Sequence, residues 1–227
     1  MRLRGDEPYL TTHTSGEERL VTGLLLPELA RAALERLSGI PVRALEQLLW
    51  GRPVRINGKP RDIRITAMAD PEGLLYRLEA DGEEDAPCHL GSVGPEPGEG
   101  GRFDASAGAL SGHDVSQTFR AFAERCAVHS GQSAPEMAAV TAVHRDGDVL
   151  LARLAPPPGP DKDRHGMVFD PYVLDTVWRL TTFRFAGWVA DAGPANALAF
   201  PLSLEAIRSF APVGGQGSGQ DIGDCAR

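Results

Sequence analysis

An aspartate stands on the apolar face of a predicted helix, where a charged side chain is unusual. Residues 172–189 carry apolar side chains at helical spacing, and Asp175 lies among them. A buried carboxylate without a partner is costly, so Asp175 needs a chemical role or an ion pair. In a poorly solvated tunnel its carboxyl group could donate a proton. Arg179, one helical turn further on, could instead form a structural ion pair with Asp175.

A histidine, His13, precedes the first predicted helix, where a lone histidine is usually a surface or capping residue. Its neutral imidazole would be available as a base near neutral pH. A base and a carboxylic acid together can perform a pair of coupled proton transfers. The other histidines have no comparable surroundings and are interpreted as ordinary strand or loop residues: His89, His113, His129, His144 and His165.

Helices and strands must position these side chains. The spacing of apolar residues predicts helices over 24–37, 118–128 and 172–189, with Pro27 in the first turn of the first helix and Ser38-Gly39 at its end. Asn57-Gly58 favours a hairpin turn between two strands, and residues 145–148 favour another. The predicted strands are 52–56, 62–66, 74–79, 87–93, 140–144, 149–154 and one or two within 200–210.

The order of these elements divides the chain into two halves. We expect an N-terminal half over 1–95, a linker over 96–116 that is rich in Gly, Pro, Ala and Ser, and a C-terminal half over 117–213. Each half has a central helix with antiparallel strands around it, which indicates an α+β fold. Residues 214–227 are mostly Gly, Gln, Ser and Asp, which predicts a disordered tail.

Composition excludes several classes of protein. The 227 residues have a formal net charge of -8 and show no basic stripe, which argues against nucleic-acid binding. No apolar run approaches the roughly 20 residues of a membrane helix, and the acidic N-terminus does not resemble a signal peptide. Three widely spaced cysteines fit neither a disulfide framework nor a zinc site. We therefore expect a cytoplasmic protein without a metal.

The segment PYLTTHTSGEERLVTG, residues 8–23, resembles the opening of the dehydratase domains of modular polyketide synthases. In that family an aromatic-Leu pair precedes a catalytic histidine in the pattern HxxxGxxxxPG, and a helix with an early glutamate follows. His13, Gly23 and Glu28 match this pattern without a gap. Glu17 stands where the family has glycine, and Thr22 stands where it has proline.

The segment FDPYVLD, residues 169–175, resembles the family's HPxxLD motif, whose aspartate is the second catalytic residue. Asp170 replaces the usual histidine, and Arg179 replaces the usual Gln or His four residues after the aspartate. The resemblance covers roughly residues 2–212. Weaker similarities to strand motifs of the family occur at residues 50–54, 88–91 and 199–202, and residues 133–137 occupy the place of its YGPAF motif but keep only the proline.

The resemblance implies a double hot-dog fold, in which two curved antiparallel sheets, each around a central helix, form one pseudo-dimeric domain. It implies dehydration of a 3-hydroxyacyl thioester with His13 as base and Asp175 as acid. The backbone N–H of Gly23 would bind the thioester oxygen, and Arg179 would line the substrate site. No cofactor is implied, because an acyl carrier protein brings the substrate on its phosphopantetheine arm. Other synthase domains, and possibly a second copy of the chain, are the remaining expected partners.

The two charged substitutions leave other reactions open. A cation beside Asp175 favours the carboxylate and makes it a poorer acid, and Glu17 near His13 favours the imidazolium. These changes would also suit a double-bond isomerase, a cyclase that closes an oxygen ring, or an inactive scaffold domain.

Overall fold

The computed structural model describes residues 1–5, 7, 14–15, 18–56, 58–71, 73–82, 86–97, 112–130, 140–155, 166–189, 202–209 and 221–222. The described helices are α1 (Leu25–Ser38), α2 (Ser116–Ser130) and α3 (Pro171–Val189). The described strands are β1 (Arg2–Leu3), β2 (Thr14–Ser15), β3 (Glu18–Leu20), β4 (Ala44–Trp50), β5 (Arg55–Ile56), β6 (Arg61–Asp70), β7 (Gly73–Ala80), β8 (His89–Val93), β9 (His113–Asp114), β10 (Val140–Asp146), β11 (Val149–Leu154), β12 (Ser203–Arg208) and β13 (Asp221–Ile222).

The chain forms two compact units. The first combines Met1–Gly101 with Arg164–Pro171 and Phe200–Val213, and the second combines Arg102–Asp163 with Tyr172–Ala199 and Gly214–Arg227. The first unit contains α1, a six-stranded sheet in the order β1-β6-β7-β8-β4-β12 and a three-stranded sheet β2-β3-β5. The second contains α2, α3 from Tyr172 onward and a four-stranded sheet in the order β13-β11-β10-β9. All strand pairs are antiparallel.

Helix α1 lies where the sequence predicts it and has the predicted apolar face. It lies against β6 and β7, and its apolar face buries Leu26, Ala30 and Leu34. The helix ends where Gly39 adopts a φ of 70° and donates its N–H to the Glu35 carbonyl at 2.8 Å. Glycine adopts this left-handed conformation without strain, which explains why the helix stops there. Leu37, which the spacing places on the apolar face, lies in the last turn and is 68% exposed.

The hairpin predicted at Asn57-Gly58 does not form. Strand β5 pairs with β3, whereas β6 pairs with β1 and β7, so the turn joins two different sheets. Gly58 does adopt a turn conformation, with a φ of 67°. Ile56 and Ile63 are both buried, each in a different sheet. The local turn signal is therefore correct, but the partner strands are not those predicted.

Strand β4 is absent from the sequence-based prediction because a bulge interrupts its alternation. Leu45 and Leu48 are both buried although they are three residues apart, and Gln47 between them has a φ of 52°. The pairing of β4 with β8 shifts register between Glu46 and Leu49. An extra residue of this kind breaks the period of two by which a strand is recognised.

The strand predicted within residues 200–210 forms as β12, but it belongs to the first unit. It pairs with β4, where Ile207 lies opposite Leu45 and both side chains are buried. Residues 203–208 therefore leave the predicted C-terminal half and complete the sheet of the N-terminal one. The two units are thus not consecutive in the chain, and the proposed linker boundaries over 96–116 stay a prediction.

The second unit is built around the hairpin that the sequence predicts. Strands β10 and β11 pair from Asp146↔Val149 outward, and α2 packs against β10. Phe119, Val143 and Ala152 belong to its buried cluster, against which Leu180 and Phe183 of α3 pack. Helix α3 therefore contributes to the core of this unit, as predicted for the helix over 172–189.

Two residues of the predicted disordered tail have a defined partner. Asp221 lies opposite Arg153, and Ile222 lies opposite Ala152, so β13 adds a short strand to the edge of β11. The prediction of disorder does not hold for this pair, because an edge strand offers unpaired backbone N–H and C=O groups. The rest of 214–227 lies outside the described residues.

Candidate active site

Gly23 lies two residues before α1, in the turn that leads into the helix. Its carbonyl accepts hydrogen bonds from the Leu26 N–H at 3.2 Å and from the Trp50 Nε1–H at 2.7 Å. A Cβ at this position would lie 3.1 Å from Trp50 Cδ1 and Nε1, so glycine is what allows the indole to approach. No acceptor for the Gly23 N–H is found among the described residues. This amide, at the positive end of the helix dipole, is suited to binding an oxyanion.

Trp50 is itself fixed by a buried aromatic network. Its indole ring lies against the His89 imidazole with ring centroids 5.0 Å apart. The Nδ1 of His89 is 2.9 Å from the Leu49 carbonyl, so Nδ1 must be the protonated nitrogen. The remaining nitrogen, Nε2, then accepts a hydrogen bond from the Tyr76 hydroxyl at 3.1 Å.

Burial keeps this network uncharged. His89 is fully buried, and burial lowers its pKa from 6.5 to about 4. Burial likewise raises the pKa of Tyr76 above its ordinary value. Both side chains are therefore neutral near pH 7, and the position of Trp50 against Gly23 does not depend on ionisation. The sequence indicates for His89 only an ordinary strand residue and gives no sign of these contacts.

Asp175 and Arg179 form the ion pair that their i,i+4 spacing left open as an alternative. Pro171 is the first residue of α3, which suits a residue that has no N–H to donate. Asp175 follows in the second turn, and its Oδ2 accepts a hydrogen bond from Arg179 Nε–H at 2.6 Å. Each of the two side chains is 15% exposed. Asp175 is thus a largely buried carboxylate with a cationic neighbour on its own helix.

A second charged pair, Glu28 and Arg31, is buried in the first unit. The Glu28 and Arg31 side chains are 4% and 5% exposed. Arg31 donates from Nη2 to Glu28 Oε1 at 2.7 Å, and Glu28 Oε2 accepts the Phe169 N–H at 2.7 Å. Burial raises the pKa of Glu28, while Arg31 and the backbone N–H groups of Phe169 and Val168 oppose that rise. The signal for this pair in the sequence is the spacing Glu-x-x-Arg on a helix with an apolar face, and the role of Arg31 becomes visible only in the structure.

The predicted site residues fall into three groups in the structure. His13 lies outside the described residues, Gly23 belongs to the first unit, and Asp175 and Arg179 belong to the second. The pairing of His13 with Asp175 therefore stays a prediction. None of the described helices combines the length and apolar character that crossing a membrane requires.

The chain is similar in sequence to polyketide synthases and in structure to their dehydratase domains. No family model matches the chain. The polyketide synthase PksM of Bacillus subtilis is 23% identical over 223 residues, which cover 92% of this chain and 5% of that protein. The dehydratase domain of a trans-AT polyketide synthase from Brevibacillus brevis superposes with a TM-score of 0.73 at 18% identity, over 93% of this chain and 76% of that one. The chain has the polyketide synthase dehydratase fold.

The predicted family resemblance and the predicted double hot-dog fold are thereby confirmed. A pyran synthase domain from module nine of the sorangicin pathway has the same fold, with a TM-score of 0.68 at 20% identity over 93% of this chain and 74% of that one. The dehydratase fold thus also occurs in a domain named for ring formation, and fold alone does not select the reaction. The chain spans about a twentieth of the length of its polyketide synthase relative PksM.

Proposed function

We propose that the chain removes water from a 3-hydroxyacyl thioester attached to an acyl carrier protein, and that it does so within a polyketide synthase. The observation that supports this most is the start of α3. Pro171 begins the helix, and Asp175 follows in its second turn as a largely buried carboxylate. That is the arrangement in which the family's HPxxLD aspartate would act, here within the dehydratase fold.

The proposed reaction needs one base and one acid. The neutral imidazole of His13 removes the proton from the carbon next to the thioester carbonyl. Electrons of that C–H bond form the new double bond, and the bond to the 3-hydroxyl breaks. Asp175, in its protonated form, donates the proton that lets the hydroxyl leave as water. The products are an enoyl thioester and one water molecule, and the exchange of protons leaves His13 as the imidazolium and Asp175 as the carboxylate.

Gly23 supports the charge that develops during proton removal. As the α-proton leaves, negative charge accumulates on the thioester oxygen. The Gly23 N–H, in the turn that leads into α1, is suited to bind that oxygen. It shares a peptide plane with the Thr22 carbonyl, which accepts the Leu25 N–H at 3.0 Å, and it has no acceptor among the described residues. A preoriented donor of this kind stabilises the transition state more than the ground state.

The partners follow from the substrate. The acyl carrier protein presents the chain on its phosphopantetheine arm, and the neighbouring synthase domains supply and consume the acyl chain. A second copy of the chain is a further proposed partner. The domain itself contributes the two proton-transfer groups and the oxyanion donor, and the proposal requires no additional cofactor.

The experiment is to incubate the domain with a carrier-bound 3-hydroxyacyl chain and to measure the mass of the carrier. We expect the mass to fall by one water. His13→Ala should abolish nearly all of this loss, whereas His113→Ala, at an exposed position on β9, should leave it unchanged.

Other outcomes identify the alternatives. A wild-type domain that leaves the 3-hydroxyacyl chain intact but moves the double bond of an enoyl chain is an isomerase. One that closes an oxygen ring on a chain bearing a distant hydroxyl is a cyclase. A domain that changes none of the three substrates is a scaffold, and the proposal is then wrong.

A further inference from the structure

We propose that the buried Glu28–Arg31 pair is a positioning device for Asp175, because it fixes the segment from which α3 starts. The idea rests on the proposed function, since it assigns Asp175 a chemical task. Neither Glu28 nor Arg31 is proposed to contact the substrate.

The pair binds the backbone of residues 166–169 at three points. Glu28 Oε2 accepts the N–H of Phe169 at 2.7 Å and of Val168 at 3.3 Å. Arg31 Nη2 donates to the Gly166 carbonyl at 3.3 Å. All these groups belong to the first unit, although 141 residues of chain separate Glu28 from Phe169.

The two charged side chains also fix each other. Arg31 Nε donates to both Glu28 oxygens, at 3.0 and 2.9 Å, and Arg31 Nη2 donates to Oε1 at 2.7 Å. Arg31 Nη1 donates to Glu35 Oε2 at 2.7 Å. The planar guanidinium therefore leaves the Glu28 carboxylate little freedom to rotate, and its Oε2 stays directed at the backbone of 168–169.

Stability alone is a weak reason to bury such a pair. Desolvation of two ions commonly offsets their attraction, and apolar residues of similar size often stabilise a core equally well. The surrounding face of α1 is apolar, with Leu26, Ala30 and Leu34 buried. An apolar residue at 28 could not bind two backbone N–H groups, so what the charges add is a defined position for the segment.

The position of residues 166–169 affects that of Asp175 because the two are joined by a short stretch of chain. Phe169, Asp170 and Pro171 are all buried, and Pro171 is the first residue of α3. Asp175 is four residues further on in the same helix, about 6 Å along its axis. A helix is stiff over this distance, so a shift at its start moves the carboxylate by a similar amount. Misplacement of a catalytic group by about 1 Å can cost about a hundredfold in rate.

The test compares Glu28→Gln with Glu35→Gln. Both remove one carboxylate from Arg31, but Glu35 accepts its other hydrogen bond from the Val42 N–H and has no described contact with 166–169. We expect Glu28→Gln to lower kcat roughly tenfold with KM within about twofold, because substrate binding is untouched and alignment is lost. Glu35→Gln should leave both constants near the wild-type values.

Amide hydrogen exchange provides a readout that is independent of turnover. In Glu28→Gln we expect faster exchange from Val168 through Asp175, and in Glu35→Gln we expect no change there. Thermal unfolding curves check that both variants are folded at the temperature of the kinetic and exchange measurements. If Glu28→Gln does not fold, Arg31→Lys retains the cation but lacks the guanidinium fork, and it should show the same pattern more weakly.

The outcomes separate this inference from the proposed function. Faster exchange confined to 168–169 with unchanged kcat would overturn the positioning role, and unchanged exchange would overturn the contact itself. Equal losses of kcat in Glu28→Gln and Glu35→Gln would indicate a purely structural pair. If the wild type does not dehydrate, the proposed function fails, and exchange from 168 to 175 still decides whether Glu28 orders the start of α3.

Discussion

Gly23 and Asp175, which are the oxyanion donor and the acid of the proposed reaction, are held in place by different kinds of contact. Gly23 is held through its carbonyl by Trp50, whose ring lies against the neutral, fully buried His89. Asp175 is held by a charged partner, Arg179, on its own helix, and both side chains are partly exposed. One position depends on uncharged, long-range contacts, and the other depends on a local ion pair.

The two kinds of contact have different consequences for the proposed tasks. An oxyanion donor must keep one orientation at every working pH, and a network without ionised groups provides that. A proton donor must change its charge in every cycle, and the neighbouring Arg179 cation favours the carboxylate form of Asp175, so this task depends directly on charge. The contrast predicts that substitutions near Gly23 change turnover or stability by removing packing and hydrogen bonds. Substitutions near Asp175 are expected to change turnover by altering charge.

The largest effect should come from Asp175 itself. Asp175→Asn keeps the size of the side chain but removes the acid, and turnover should fall by about 100- to 10,000-fold, the usual range for a general acid. The measurement is the rate of water loss from a carrier-bound 3-hydroxyacyl chain. Asp148→Asn, at an exposed position in the β10–β11 turn, makes the same change of charge and should have no effect. A fall of less than tenfold would remove Asp175 from the role of acid.

The next effect concerns the stability of the Gly23 region. The folded protein requires neutral His89, with a pKa of about 4, whereas the unfolded chain binds a proton below pH 6.5. The stability that His89 contributes is therefore complete above pH 6.5 and is lost as the pH falls toward 4. Over that interval the free energy of unfolding should fall by up to about 3 kcal/mol.

Chemical denaturation at several pH values measures this loss. His89→Gln does not titrate, so its free energy of unfolding should change less over the same interval than that of the wild type. Parallel curves for the two proteins would mean that His89 is not the group responsible.

A smaller effect is expected from Trp50→Phe. The variant keeps an aromatic ring against His89 but loses the hydrogen bond to the Gly23 carbonyl. One neutral hydrogen bond contributes about 1 kcal/mol, so kcat should fall about fivefold with little change in KM. Tyr76→Phe is the matched control, since it breaks a hydrogen bond in the same network but makes no contact with Gly23. If both variants lower kcat equally, the Trp50 bond has no special part in orienting Gly23.

The smallest effect on the rate should come from Arg179→Gln. This change removes the cation beside Asp175 and restores a neutral hydrogen-bond partner, so Asp175 keeps its proton to higher pH. The limb of the pH–rate profile where turnover falls with rising pH should move upward, and dehydration should be no slower. A loss of dehydration with the fold retained would show instead that Arg179 supports the chemistry. For an isomerase or cyclase that uses the ionised Asp175 as a base, the same change should cost activity.

Features that depend on a single helix could be predicted from the sequence. Helix α1 ends at Gly39 and α3 begins at Pro171 because these residue types have strong local preferences. The Asp175–Arg179 pair follows from helical spacing alone. The family resemblance of residues 8–23 and 169–175 predicted the double hot-dog fold, which periodicity and composition by themselves did not.

The strand placements that differ from the prediction share a cause, which is competition between strands for burial. A local signal at Asn57-Gly58 favoured a hairpin, but β5 and β6 each found a different sheet. Strand β12 paired with β4 across most of the length of the chain and left the half to which sequence order assigned it. Turn preferences are smaller than the free energy of burying side chains such as Ile207 and Ile63, so the sheet decides the partner.

The positions of the helices and the i,i+4 spacing that allows Arg179 to reach Asp175 can be predicted from the residues alone, because both follow from geometry within four residues of the chain. The contacts of Trp50 with the Gly23 carbonyl and of Glu28 with the backbone N–H of Phe169 arise only in the folded protein. These contacts join residues 27 and 141 positions apart. No period in the sequence encodes such a separation, because it results from how buried faces of distant elements fit together.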